Sequence, residues 1–102
     1  MAIKPIYEET LTADGSTVFQ KVYGPVWVSL SGGFGGGTAT IQRKNISETA
    51  VAIVGETHTV AADRMIDFPP NTVNEVRVNI ASSTTPTLAV SLQWTSVTEK
   101  II

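Results

Sequence analysis

Five of the six residues at positions 32–37 are glycine, and the sixth is Phe34. A glycine-rich stretch can wrap a phosphate because bare backbone N–H groups converge on it, but that chemistry needs companions at fixed offsets. A dinucleotide fingerprint needs G-x-G-x-x-G running from a strand into a helix, and a P-loop needs Gly-Lys followed by Ser or Thr. Here Thr38 stands where the third glycine would, no lysine follows, and TATIQ at 38–42 favours a strand. A kinase-type glycine loop joins two strands, and VAIV at 51–54 has the look of its lysine-bearing strand, yet Val54 occupies the lysine's place. Phosphate binding is not expected. The stretch reads as a hairpin turn that needs positive φ at several positions, with Phe34 as the one side chain able to anchor a partner.

His58 is the single histidine and cysteine is absent, which removes most acid–base, nucleophilic and thiolate–metal arrangements. Glu56 and His58 share one face of a strand, and Asp63 and Asp67 another, but two pairs without a further histidine make a poor metal site. The nine acidic residues are dispersed, and no G-x-S-x-G elbow frames a nucleophilic serine. No catalysis, no metal and no cofactor are expected. Trp27, Tyr7, Phe19 and Tyr23 form the remaining candidate surface: an outward aromatic row stacks on sugars or packs on a partner, or else fills a second layer of the fold.

These side chains are positioned by strands. Val26, Val28 and Leu30 alternate with Trp27, Ser29 and Ser31; Val76, Val78 and Ile80 with Arg77, Asn79 and Ala81; Leu88, Val90, Leu92 and Trp94 with Ala89, Ser91, Gln93 and Thr95. A period of two is the signature of a half-buried strand. Ala39 and Ile41 continue the pattern, and weaker strands fall at about 6–12, 17–23, 50–54 and 57–68, the last broken near 61–63. Asp63 to Ile66 has room for one helical turn before Pro69 and Pro70 end it. Turn signals at 13–16, 24–25, 45–48, 55–56, 69–71 and 82–86 separate the strands. The expected fold is all-β: one antiparallel β-sandwich domain over 1–102, jelly-roll-like, of about seven or eight strands with no substantial helix. Its expected core is Val26, Val28, Leu30, Ile41, Ile53, Ile66, Phe68, Val76, Val78, Ile80, Leu88, Val90, Leu92 and Trp94. Extended arms are expected at 1–7 and 97–102, where charges mix with Ile3, Ile6, Ile101 and Ile102.

Composition sets limits on the partner. With 42% hydrophobic and 16% charged residues the chain folds rather than staying disordered. Its net charge is −2, and its seven Lys and Arg stand singly apart from Arg43–Lys44, so nucleic-acid binding is not expected. No apolar run approaches the length of a membrane span, and MAIKPIYEET reaches Glu8 without a signal-peptide core, so synthesis in the cytoplasm is expected.

The glycine turn leading into GGTATIQRKN, together with the closing VNEVRVNIASSTTPTLAVSLQW, resembles small virion structural proteins of tailed bacteriophages. In those proteins GTFGGGTVTLQ-like and TPSLTVWL-like hairpins recur in β-sandwich modules. The resemblance covers about residues 26–95; after Gln42, RKNISETAVAIVG replaces the family's DGGTTW-like turn. It implies a non-enzymatic particle component. The leading expectation is a capsid decoration, or cement, protein that binds the outside of the assembled head, bridges subunits of the major capsid protein or other virion proteins, and forms homo-trimers or dimers. The alternative is a tail, neck or head-fibre module concerned with assembly or host-surface glycans, and a third reading is a cellular carbohydrate-binding or adhesin-like sandwich. The virion is then its location. Partner contacts are expected at Ile3, Ile6, Tyr7, Trp27, Phe34, Ile101 and Ile102.

Overall fold

A computed structural model describes residues 6–44, 47–70 and 72–94. Among them are nine strands and no helix: β1 (Ile6–Leu11), β2 (Gly15–Ser16), β3 (Gln20–Tyr23), β4 (Val26–Gly33), β5 (Thr38–Lys44), β6 (Ala50–His58), β7 (Ala62–Ile66), β8 (Val73–Ala81) and β9 (Thr87–Trp94). They form two antiparallel sheets. One has the order β1-β9-β4-β7; in the other, β8 pairs β2 and β3 on one side and β5 on the other, and β6 pairs β5. The ninth strand beyond the expected seven or eight is β2, two residues inside a turn signal. The weak strand expected at about 57–68 with a break near 61–63 is the end of β6 followed by β7. The one helical turn for which Asp63 to Ile66 had room does not form, because alternation of Ala62, Arg64 and Ile66 with Asp63 and Met65 fits an edge against β4.

The pairing is that of a long hairpin rolled up. β5 pairs β6, β4 pairs β7, β3 pairs β8 and β1 pairs β9, and rolling then sets β9 beside β4 and β8 beside β5. This is the strand order of a jelly roll. It corrects two local expectations, since β4 and β5 lie in different sheets, as do β8 and β9. The glycine cluster is therefore a corner between sheets and not a hairpin.

That corner explains the glycines. The turn at 34–37 packs on the other inter-sheet corner, 82–86, where Thr84 N donates to Gly35 O at 2.9 Å. A Cβ on Gly35 would sit 2.4 Å from Thr84 O, and one on Gly37 would sit 2.6 Å from Ser83 Cβ. Gly35 also has φ +59°, which L side chains rarely adopt. Asp14 reinforces the same end, accepting from the Ser83 amide at 2.9 Å and from the Ser83 hydroxyl.

The core fills the space between the sheets with Leu11, Val26, Val28, Leu30, Ile66, Leu88, Val90 and Leu92 from one and Val22, Ala39, Ile41, Val76, Val78 and Ile80 from the other. Each large aliphatic chain taken from water there contributes about 1.5–3 kcal/mol. Ile53, Phe68 and Trp94 pack against this cluster half-buried. Phe34 joins it, only 7% exposed. Buried Thr17 is satisfied by a reciprocal pair with Val78, N to O at 2.9 Å and N to Oγ1 at 3.1 Å.

Each open side of the sandwich is stitched by one carboxylate. On the β6–β7 side, Arg64 donates to Glu56 through Nε at 2.8 Å and Nη2 at 3.0 Å, and His58 Nε2 lies 3.0 Å from the same carboxylate. On the β1–β3 side, Glu9 accepts from the Tyr7 hydroxyl and, at 3.4 Å, from the Val18 amide just ahead of β3. Inward-turned charges of this kind also discourage further strands from adding to an edge.

Candidate functional site

Directly opposed residues in an antiparallel sheet share a face, so the register defines the outer surface of the four-stranded sheet. Trp27 faces Met65 on β7 and Gln93 on β9, and Gln93 faces Ile6 on β1. A single lateral row, Met65-Trp27-Gln93-Ile6, thus crosses all four strands, about 14 Å at the usual strand spacing. Its apolar members are exposed: Ile6 by 59%, Trp27 by 51% and Met65 by 44%.

The next row is Asp63-Ser29-Ser91-Glu8, and beyond it lie Ser31, Ala89 and Thr10. These short side chains leave a shallow depression of about 260 Å³ over Ser29, Ser31, Ala89 and Ser91, walled by Glu8 and Thr10. Ser29 Oγ donates to Asp63 Oδ1 at 2.7 Å, fixing the carboxylate beside the Trp27 row. The charges on this face are Glu8 and Asp63, with no base among the described residues.

The opposite outer face has the other sign. Lys21, Lys44 and Arg77 lie there against Glu75, with Lys44 Nζ 3.5 Å from Glu75. The Phe19 ring lies between two of the cations, Arg77 Cζ at 4.7 Å and Lys44 Nζ at 4.9 Å from its centre, and Arg77 Nε donates to Gln42 at 2.7 Å. Lys44 and Arg77 are thus engaged within the chain, whereas the apolar members of the Trp27 row are exposed.

The expected contact residues fall into three groups. Ile6 and Trp27 share the exposed row, and Met65 joins them; the alternation at 62–66 is the signal that would have found it. Phe34 is excluded as a partner anchor because it is part of the core. Tyr7 points inward to Glu9 and Ile6 pairs Gln93, so positions 6 and 7 form a strand and not an arm. Ile3, Ile101 and Ile102, and with them the rest of the arms at 1–7 and 97–102, lie outside the described residues.

Glu56 and His58 do meet, as their spacing suggested, but their third member is Arg64. The cluster is an ion-pair stitch. The Arg64 fork first, and His58 after it, hold the Glu56 carboxyl below the usual carboxylate range, against the opposite pull of burial. Among the described residues no three His, Asp or Glu side chains gather as a metal site would require. No protein-family model, curated protein or solved structure matches the chain, so its function is read from its own residues.

Proposed function

We propose that the chain is a non-enzymatic structural protein of a phage virion, a decoration protein that seats the outer face of its four-stranded sheet on the assembled head and bridges capsid subunits. The observation that carries this reading is the Met65-Trp27-Gln93-Ile6 row, three exposed apolar side chains and one amide in a single line across the sheet. Exposed apolar strips bordered by polar residues mark contact surfaces, and tryptophan leads the residues that anchor them. Glu8 and Asp63 beside the strip favour a partner surface that offers Lys or Arg next to its own apolar groups. The jelly-roll frame, shared by viral capsid and lectin domains, and the resemblance of residues 26–95 to small phage virion proteins support the same reading by analogy.

Binding energy alone performs this function. A protein that binds the assembled shell and not its dissociated subunits stabilises the shell by mass action, and a symmetric lattice repeats a modest contact many times. The test is occupancy on heads assembled without the chain and then supplied with it. Trp27→Ala combined with Met65→Ser should lower the affinity about 30-fold, as for a lost hot spot. Undiminished occupancy by the folded double variant would refute the docking face.

One observation favours a second reading, a fibre or tail module that holds a glycan. Trp27 is a half-exposed ring beside the Gln93 amide and a shallow, hydroxyl-lined depression, the elements of sugar stacking. Binding to a glycan array that is lost in Trp27→Ala, without any binding to heads, would replace the first reading with this one.

A further inference from the structure

The sandwich has four sheet edges, where a strand has a neighbour on one side only. Such an edge presents unpaired backbone N–H and C=O groups and templates a further strand unless something blocks it. Three edges carry blocks. β1 bears Glu8 and turns Glu9 inward; β7 is five residues long and bears Asp63 and Arg64; β2 and β3 break their edge into two short pieces, the longer bearing Lys21.

β6 differs along its length. Its second half is bent by a bulge, because four residues, 53–56, stand between the pairings Gln42–Ala52 and Thr40–Thr57 while β5 has only Ile41 there. Glu56, within the bulge, turns inward to Arg64. Its first half has none of these protections. Ala50, Val51 and Ala52 pair in regular register with Lys44, Arg43 and Gln42, and residues 50–53 contain no charge and no proline.

That stretch also fits itself. Two copies paired antiparallel about a twofold axis at Ala52 set Val51 against Ile53 twice on the core side and Ala52 against Ala52 on the outer side. Val51 and Ile53 are half-buried in one copy, and Ile53 already packs against the core. Pairing would finish their burial. On the outer side Ala52 is exposed and short, so at the axis itself no bulky side chain holds the two backbones apart. We propose that the free edge of β6 at residues 50–53 pairs with the same edge of a second copy, joining two five-stranded sheets into one continuous sheet across a twofold dimer. The pairing does not depend on what the Trp27 face binds.

Because the chain contains no cysteine, Ala52→Cys introduces a single thiol. The twofold axis places that thiol opposite its copy, so mild oxidation or a short bismaleimide should give a covalent dimer, whereas Thr57→Cys, exposed on the same strand beyond the bulge, should give no covalent dimer. Sedimentation should show a concentration-dependent dimer for the unaltered chain. Ala52→Lys, which sets two like charges together at an exposed position, should sediment as a monomer whose unfolding midpoint equals that of the unaltered chain diluted to the monomer. An unaltered chain that remains monomeric at every concentration would overturn the proposal. So would a dimer that survives Ala52→Lys, or cross-linking as strong through Thr57→Cys as through Ala52→Cys. Occupancy of heads by Trp27→Ala reads the docking face separately, so the two proposals fail independently.

Discussion

Arg64 on β7 grips both carboxylate oxygens of Glu56 on β6, at 2.8 and 3.0 Å, and so ties one sheet to the other along an open side of the sandwich. Glu56→Gln keeps the shape and removes the charge, and should cost about 1–3 kcal/mol at neutral pH. The sign of the pH dependence follows from the depressed folded-state pKa. The stabilisation is complete above the ordinary glutamate value of about 4.3 and disappears as the pH falls through the depressed one. Urea unfolding at about pH 6 and about pH 3 should therefore show a smaller loss of stability in Glu56→Gln than in the unaltered chain.

The corner at 34–37 gives a comparison between two glycines of similar backbone. Gly36 has φ +74° with open space around its missing side chain, whereas Gly35 has φ +59° with the Thr84 carbonyl in the way. Gly36→Ala should cost only the left-handed penalty, about 1–2 kcal/mol. Gly35→Ala should cost about 3 kcal/mol or more, since the second corner must also move. Thermal unfolding of the two variants side by side checks the order.

Phe34 and Trp27 should separate stability from binding. Phe34→Ala empties a core position and should cost about 3–4 kcal/mol. Trp27→Ala removes an exposed ring and should change stability by about 0.5 kcal/mol or less, while lowering affinity for the partner surface. Trp27 fluorescence should shift to the blue when the face is covered.

Tyr7 donates its hydroxyl to Glu9, and that bond, followed by burial and the Glu9 charge, raises its pKa. A raised tyrosine pKa means that the fold favours the neutral form, so stability is lost as pH climbs above the ordinary tyrosine value of about 10. In an alkaline titration, tyrosinate absorbance of the folded protein should contain a delayed component that Tyr7→Phe removes.

The sandwich and most of its core were legible because period-two alternation is strong wherever a strand has one wet face. Val26 to Leu30, Val76 to Ile80 and Leu88 to Leu92 all point as their spacing requires. Which strands pair was not legible, since both corners contain residues that also serve hairpins, and only the register separates the two cases. Phe34 was misread for the same reason: a lone aromatic among glycines looks exposed until the corner is seen to fold over the core. The alternation that buries Ile66 also sends Met65 outward beside Trp27, but a stretch broken near 61–63 and closed by two prolines is too short for its period to say which side chains face out.

Among the described residues β1 has no ladder partner except β9, and β4 has β9 along one whole flank. The last described strand is therefore the keystone of the first sheet. Until residues 87–94 leave the ribosome, β1 lacks its ladder partner, β4 is unpaired along one flank, and the inner face of β8 lacks part of its opposite wall. Such sequence-distant closure is slow, and it leaves the earlier strands exposed to one another in the meantime. Folding of the sandwich is an event that waits for its ninth strand.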